Sequence, residues 1–350
     1  MSERRVAWAD VAKGVCILLV VLWHVIMKHY LQIDWRISTP VPGVWGKVSE
    51  QLLPLRMPLF FTISGLFAVN AVRRPWPVLA RTRVAKFAYL YALWLVIHTA
   101  VLAFVPDFGT ERATNALQFL AQLTITPSNL WYLYALAVYF VIAKLVRDLP
   151  PALVLAAAFA LSAITAAGLL DTPGNRGGVY QNLVFFLGGM YGKSVVERLA
   201  AKASWARLVA IGVPYAFLLG LIAVFDAKTW FGIWPLAGVV AVALGVTAAG
   251  LITRWAALTR GLAKLGGKTL PIYVLHMPLL ALTHAVLIGP LSSVGPGVQW
   301  AVAVFEPVVL TAFLVWLCTW LRRFLPRALF DLTAPTAMSR EGRPAAVRSR

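Results

Sequence analysis

The apolar run at 11–29, with the residue just before it, carries Asp10, Lys13 and His24, three groups that lipid tolerates badly. A titratable side chain inside such a run costs a few kcal/mol or more, so each calls for a partner or a task. At ~100° per residue, an eleven-residue separation brings Lys13 and His24 within about 20° of each other and roughly 16 Å apart along the axis. Asp10 lies three residues before Lys13 and can pair with it on the same face. The spacing therefore predicts a polar seam along one helix. An imidazole ordinarily titrates near physiological pH, which suits a general base. The plainer reading is an ion pair at the membrane edge and a core histidine bonded to a neighbouring helix.

Tyr273 and His276 stand one turn apart ahead of Pro278, so both can face one cavity or share a structural hydrogen bond. Arg56 opens the segment Arg56-Met57-Pro58-Leu59-Phe60-Phe61-Thr62-Ile63-Ser64-Gly65. It either snorkels to the interface or binds an anionic or sugar ligand, while Ser64 and Gly65 are small enough for close helix packing. His98 and His284 have little polar company and read as structural; His29, at a run boundary, reads as solvated. Arg73, Arg74, Arg81, Arg83 and Lys86 form the densest basic cluster, the last two at the mouth of an apolar run. Topology accounts for much of that cluster, and a phosphate-rich ligand would also want such convergence. There is no glycine-rich phosphate loop, no metal-ligand spacing and no Gly-x-Ser-x-Gly elbow, so no metal is expected.

The elements that must position these groups follow from composition. Of 350 residues, 60% are hydrophobic and 13% charged, more apolar surface than a soluble domain hides. Runs long enough to span a bilayer fall at 11–29, 52–72, 84–105, 129–146, 151–170, 179–196, 207–225, 231–252, 269–288 and 299–321. The expected fold is all-α, a polytopic helical bundle of about ten spans over residues 1–330. The basic tail at 331–350 is expected to be disordered and to touch anionic headgroups. The first run resembles a signal peptide but carries Lys13 and His24 and lacks a cleavage site, so it reads as a span. Alternate connections hold 24 of the 32 Lys and Arg, the others six, and Lys13 and Arg56 lie within runs. That alternation places both termini in the cytoplasm, because basic loops resist translocation. It also explains the net charge of +19 without nucleic acid as a partner. Cys16 and Cys318 read as packing residues.

These segments together resemble membrane acyltransferase family 3, whose members modify bacterial surface glycans, and especially its sugar O-acetylase-like branch. The resemblance rests on Asp10-Val-Ala-Lys13-Gly14 leading to Trp23-His24, on Met57-Pro58-Leu59-Phe60-Phe61 with Ser64-Gly65, and on Arg83-Val-Ala-Lys86. Leu130-Trp131-Tyr132-Leu133 and Leu265-Gly266 leading to Tyr273-Val-Leu-His276 complete it in family order. It implies a multi-pass protein of the bacterial inner membrane that passes an acyl group, chiefly acetyl, from cytoplasmic acyl-CoA to a hydroxyl on a saccharide or glycolipid. It implies His24 as base or transient acyl carrier, with Lys13 and Asp10 beside it. Arg83 and Lys86, with Arg81, would hold the donor phosphates; Arg56, Ser64, Trp131, Tyr273 and His276 would line the acceptor site. Lys13 and Lys86 stand where many members have Arg, which keeps the charge and loses the bidentate fork. A transporter or flippase for a glycan or small metabolite uses similar buried polar groups without chemistry, and is the rival reading.

Overall fold

The computed structural model describes residues 3–38 and 40–332, with side chains from Ala7 onward. Among them there is no β-strand. The helices in chain order are α1 (Glu3–Lys28), α2 (Val41–Gln51), α3 (Leu53–Val72), α4 (Trp76–Leu79) and α5 (Ala85–Ala103). There follow α6 (Ala116–Thr124), α7 (Trp131–Val146), α8 (Pro151–Ala166), α9 (Arg176–Tyr191) and α10 (Lys193–Ala201). The last five are α11 (Trp205–Phe225), α12 (Ile233–Ile252), α13 (Ala256–Gly266), α14 (Thr269–Ser293) and α15 (Pro296–Leu321). Each of the ten predicted runs falls on a helix, and the extra helices are short connectors.

Seven helical stretches are long and apolar enough to cross a membrane. The other three, α7, α8 and α9, have 16 residues each, about 24 Å at 1.5 Å per residue against a hydrocarbon core of ~30 Å. Helix α9 is also the most polar of these three, with Gly177, Gly178, Gln181 and Asn182 in its first half. It packs against α3, α7 and α8, so protein rather than lipid surrounds much of it. By contrast α11 leans on α12 and exposes Val209, Val213, Phe217 and Val224, as a lipid-facing helix should.

Helix α1 lies at the centre, against α3, α12, α13, α14 and α15, which is what shelters its charged groups. Among the described residues, two crossings built on paired glycines bring helix backbones together. At one, a Cβ on Gly14 or Gly266 would strike the carbonyl oxygen of Leu262 or Asp10, so α1 and α13 meet without side chains between them. At the other, a Cβ on Gly65 or Gly189 would strike Phe186 or Thr62, bringing α3 onto α9. Ser64 stays free of that packing role and faces elsewhere.

Prolines inside helices free carbonyls that nothing in a bilayer would satisfy. Pro278 cannot bond the carbonyl of Val274, and His98 Nε2 donates to that oxygen at 2.8 Å from α5. Pro307 likewise frees Ala303, whose oxygen accepts from the Tyr30 hydroxyl at 2.7 Å and Trp45 Nε1 at 3.1 Å. His98 therefore has the structural role its surroundings predicted. Cys16 and Cys318 are buried and unbridged. Most of the tail, 333–350, lies outside the described residues. Asp331, its first residue, sits 3.1 Å from Lys86 Nζ, and the segment before it packs on α5 through Trp94 Nε1 to the Leu329 carbonyl at 2.7 Å.

Candidate active site

The predicted seam on α1 opens into two different cavities. Near the start of the helix, Lys13 lines a cavity of about 510 Å³ with Arg83, Lys86, Ser64, Tyr132 and Tyr273. About three turns of helix further on, His24 lines a second cavity of about 300 Å³ with Trp23, Lys28, Arg56, Trp131 and Tyr273. Tyr273 borders both. Trp131 and Tyr132, neighbours in the first turn of α7, look into opposite cavities.

The hydrogen bonds around His24 assign its protons. His276 Nδ1 lies 3.1 Å from the Ile272 carbonyl, which can only accept, so that nitrogen carries the proton. His276 Nε2 is then an acceptor. His24 Nδ1, 2.9 Å from the Val20 carbonyl and 3.2 Å from His276 Nε2, must be the donor to both. The lone pair of His24 is left on Nε2, the nitrogen without a protein partner among the described residues. A base needs this tautomer. His276 was expected to line the cavity; it is 2% exposed and stands behind His24 instead.

Arg56 reaches the histidine cavity from α3 and is 4% exposed. Its guanidinium sits 4.9 Å from the Trp23 ring centroid and makes one long contact, 3.5 Å, to the Leu19 carbonyl. A buried cation with most of its donors unengaged is poised for an oxygen-rich ligand. Snorkelling, the other reading of Arg56, does not fit this burial. Lys28 donates to the Gly109 carbonyl at 2.6 Å, and Glu111, Asn129 and Asn175 complete the polar rim. Those four were not singled out from sequence, because they come from loops or helix ends with no periodicity to mark them.

In the cationic cavity, Lys13 pairs with Asp10 at 2.6 Å and its ammonium lies 5.4 Å from the Phe67 ring centroid. The Arg83 guanidinium lies 5.8 Å from the Phe140 ring centroid. Arg83 lies in a π-helical turn, Ala80–Val84, that leads into α5. Such turns re-aim side chains and are common at functional sites. Arg81, in the same turn, is exposed and outside the cavity, so the structure brings together Lys13, Arg83 and Lys86 and leaves Arg81 apart.

The wall between the cavities is a hydrogen-bonded unit. Tyr273 donates to the Asn129 carbonyl at 3.0 Å and accepts from the Tyr132 amide at 3.3 Å. The Ser64 hydroxyl donates to the Phe60 carbonyl at 2.9 Å, which leaves the Tyr132 hydroxyl to donate to Ser64 at 2.8 Å.

A second histidine pair crosses the same α1–α14 contact beyond the first. His29 Nδ1 is 3.1 Å from His284 Nδ1, and His29 Nε2 is 3.4 Å from Glu306 on α15. His29 is 0% exposed, which corrects its reading as a solvated boundary residue; α14 and α15 bring His284 and Glu306 against it. Among the described residues no three His, Cys, Asp or Glu side chains are placed to share a metal ion.

The model of a family described as an acyltransferase domain, acyltransferase family 3, matches residues 6–323. The inner membrane protein YcfT of Escherichia coli (strain K12) is 28% identical over 250 residues, covering 63% of this chain and 69% of that protein. No solved structure matches.

Proposed function

The chain belongs to membrane acyltransferase family 3, and from that premise we propose that it moves an acyl group, acetyl foremost, from acyl-CoA to a sugar hydroxyl of a glycan or lipid-linked saccharide. The observation that carries this reading is the pair of cavities meeting at Tyr273, one cationic and one holding a histidine with its lone pair exposed. Acyl transfer across a membrane needs these parts: an anion site for the donor, a base for the acceptor, and a dry passage between them. The alternating charge pattern supports a cytoplasmic cationic cavity and a histidine cavity facing the other side of a bacterial inner membrane.

In this reading Arg83, Lys86 and Lys13 receive the CoA phosphates, and the thioester passes Tyr273 to reach His24. Asp10 holds Lys13 in place and tempers its charge. His24 Nε2 takes the proton of the acceptor hydroxyl as its oxygen attacks the thioester carbonyl. The C–S bond breaks, the ester forms, and the thiolate leaves with the proton returned from His24. His276 holds the neutral tautomer before the step and accepts the Nδ1 hydrogen bond, which strengthens as His24 becomes positive. Arg56 supplies donors for oxygens of the acceptor, and Trp131 gives a sugar ring a flat face to stack on.

The test uses the full chain in nanodiscs with radiolabelled acetyl-CoA, comparing wild type with His24→Ala at equal folding. Label transfer or CoA release that disappears in the variant supports the reading. A folded protein that neither binds acetyl-CoA nor turns it over would instead favour a transporter or flippase.

A further inference from the structure

A further cavity, of about 910 Å³, belongs to neither half of this machinery. It lies at the end of the bundle where α1 begins and α12 finishes, between α10 and α13. Its floor is close-packed: Gly250 of α12 rests against Ala200 and Ala203, and the buried Trp8 forms one wall. Arg198, Arg254 and Arg260 line it from three separate segments.

Loop topology asks only that these segments be basic. It does not ask that their charges converge. Lys193, Lys202, Arg207, Lys264 and Lys268 belong to the same connections and none lines the cavity, whereas Arg198, Arg254 and Arg260 do. Among the described residues none of the three makes an ion pair. The one carboxylate in the lining, Glu197, is 3.9 Å from Lys193 outside the cavity. Arg254 spends one Nη2 contact, 2.7 Å, on the Ala203 carbonyl, and Arg198 spends Nε on the Ser194 carbonyl at 3.1 Å. Arg260 spends none among the described residues. Most of the guanidinium donors thus remain for a ligand, and guanidinium forks match phosphate oxygens in pairs.

The cavity's lip identifies the source of that phosphate. Trp205 and Trp255 lie beside it, exposed, with ring centroids 6.1 Å apart, and Val195 and Leu258 are exposed on the same two short helices or their flanks. Exposed tryptophans beside apolar side chains mark headgroup depth, and basic pockets between helices at that depth suit anionic headgroups. We infer that this cavity binds the phosphate of an anionic phospholipid, with Arg198, Arg254 and Arg260 as its ligands.

Native mass spectrometry of the full chain, delipidated in mild detergent and titrated with phosphatidylglycerol or phosphatidylcholine, tests this. The expected result is saturable retention of phosphatidylglycerol over phosphatidylcholine, weakened at least fivefold in the Arg198→Gln/Arg254→Gln/Arg260→Gln variant and only partly in the corresponding triple Lys variant. Should the triple Gln variant misfold, Arg260→Gln alone carries the test, since it breaks no contact in the described protein; it is expected to weaken retention about twofold to threefold. Equal retention of both lipids, or retention unchanged by the substitutions, overturns the inference. Displacement of phosphatidylglycerol by millimolar inorganic phosphate or CoA also overturns it and marks a soluble-anion site.

Discussion

His24 Nδ1 and His276 Nε2 lie 3.2 Å apart across the contact of α1 with α14, and this bond, together with that to the Val20 carbonyl, keeps the proton on Nδ1 and leaves Nε2 free to act as a base. His24→Ala is expected to lower kcat by about 10²–10⁴-fold, the usual worth of a positioned base. His276→Ala should cost less, about 10–100-fold, as for an outer partner that orients a reacting imidazole, because the Val20 carbonyl still holds the Nδ1 proton. His276→Gln, which can accept in the same place, should recover part of the loss. Steady-state acetyl transfer by the three variants checks this, and equal activity of Ala and Gln at position 276 would sink the tautomer argument.

The two arginines of the π-helical turn should behave differently. Arg83→Gln is expected to raise KM for acyl-CoA about tenfold or more with a smaller change in kcat, the loss of one charge-assisted phosphate contact. Arg81→Gln should change KM less than about twofold, because its side chain lies outside the cavity. Initial rates over a range of acetyl-CoA separate the two.

Tyr273 should act as a partition. Tyr273→Ala merges the two cavities it borders. Acetyl-CoA hydrolysis without acceptor is then expected to rise severalfold relative to transfer, since water gains a wider route past the position the side chain holds. Tyr273→Phe keeps the ring and should hydrolyse far less. CoA release measured with and without acceptor distinguishes a partition from a residue that only packs.

Gly65 and Gly188 offer a matched pair for the helix crossing. A Cβ at Gly65 meets the Phe186 backbone, whereas one at Gly188 meets nothing within 4 Å. Gly65→Ala should destabilise by roughly 1–3 kcal/mol or more through forced separation of α3 and α9, while Gly188→Ala should be neutral or mildly stabilising. Thermal unfolding in one detergent gives both shifts.

His98 and Pro278 form a testable couple. His98→Leu strands the Val274 carbonyl, at a cost of about 1–3 kcal/mol. Pro278→Ala restores a backbone amide able to bond that oxygen, so the double variant should be less destabilised than the sum of the singles. Additive losses would mean that His98 stabilises the bundle in some other way.

The ten apolar runs and the charge asymmetry between their connections were legible in the chain itself, because lipid imposes local rules. Span length follows bilayer thickness, and basic residues collect in alternate loops. The α1 seam was also legible, since Asp10, Lys13 and His24 sit on one helix whose geometry is fixed. What local rules cannot reach is which face meets which neighbour. That His276 backs His24 rather than lining its cavity depends on how α1 and α14 are rotated against each other, which no spacing within either helix records. The separation of Arg83 from Arg81 needed a π-helical turn that no spacing announces. His29 was misread because its burial comes from α14 and α15, distant in sequence, which bring His284 and Glu306 against it; Lys28, Glu111, Asn129 and Asn175 escaped notice for a related reason. Side chains drawn from distant loops become a site only when tertiary packing sets them around one volume.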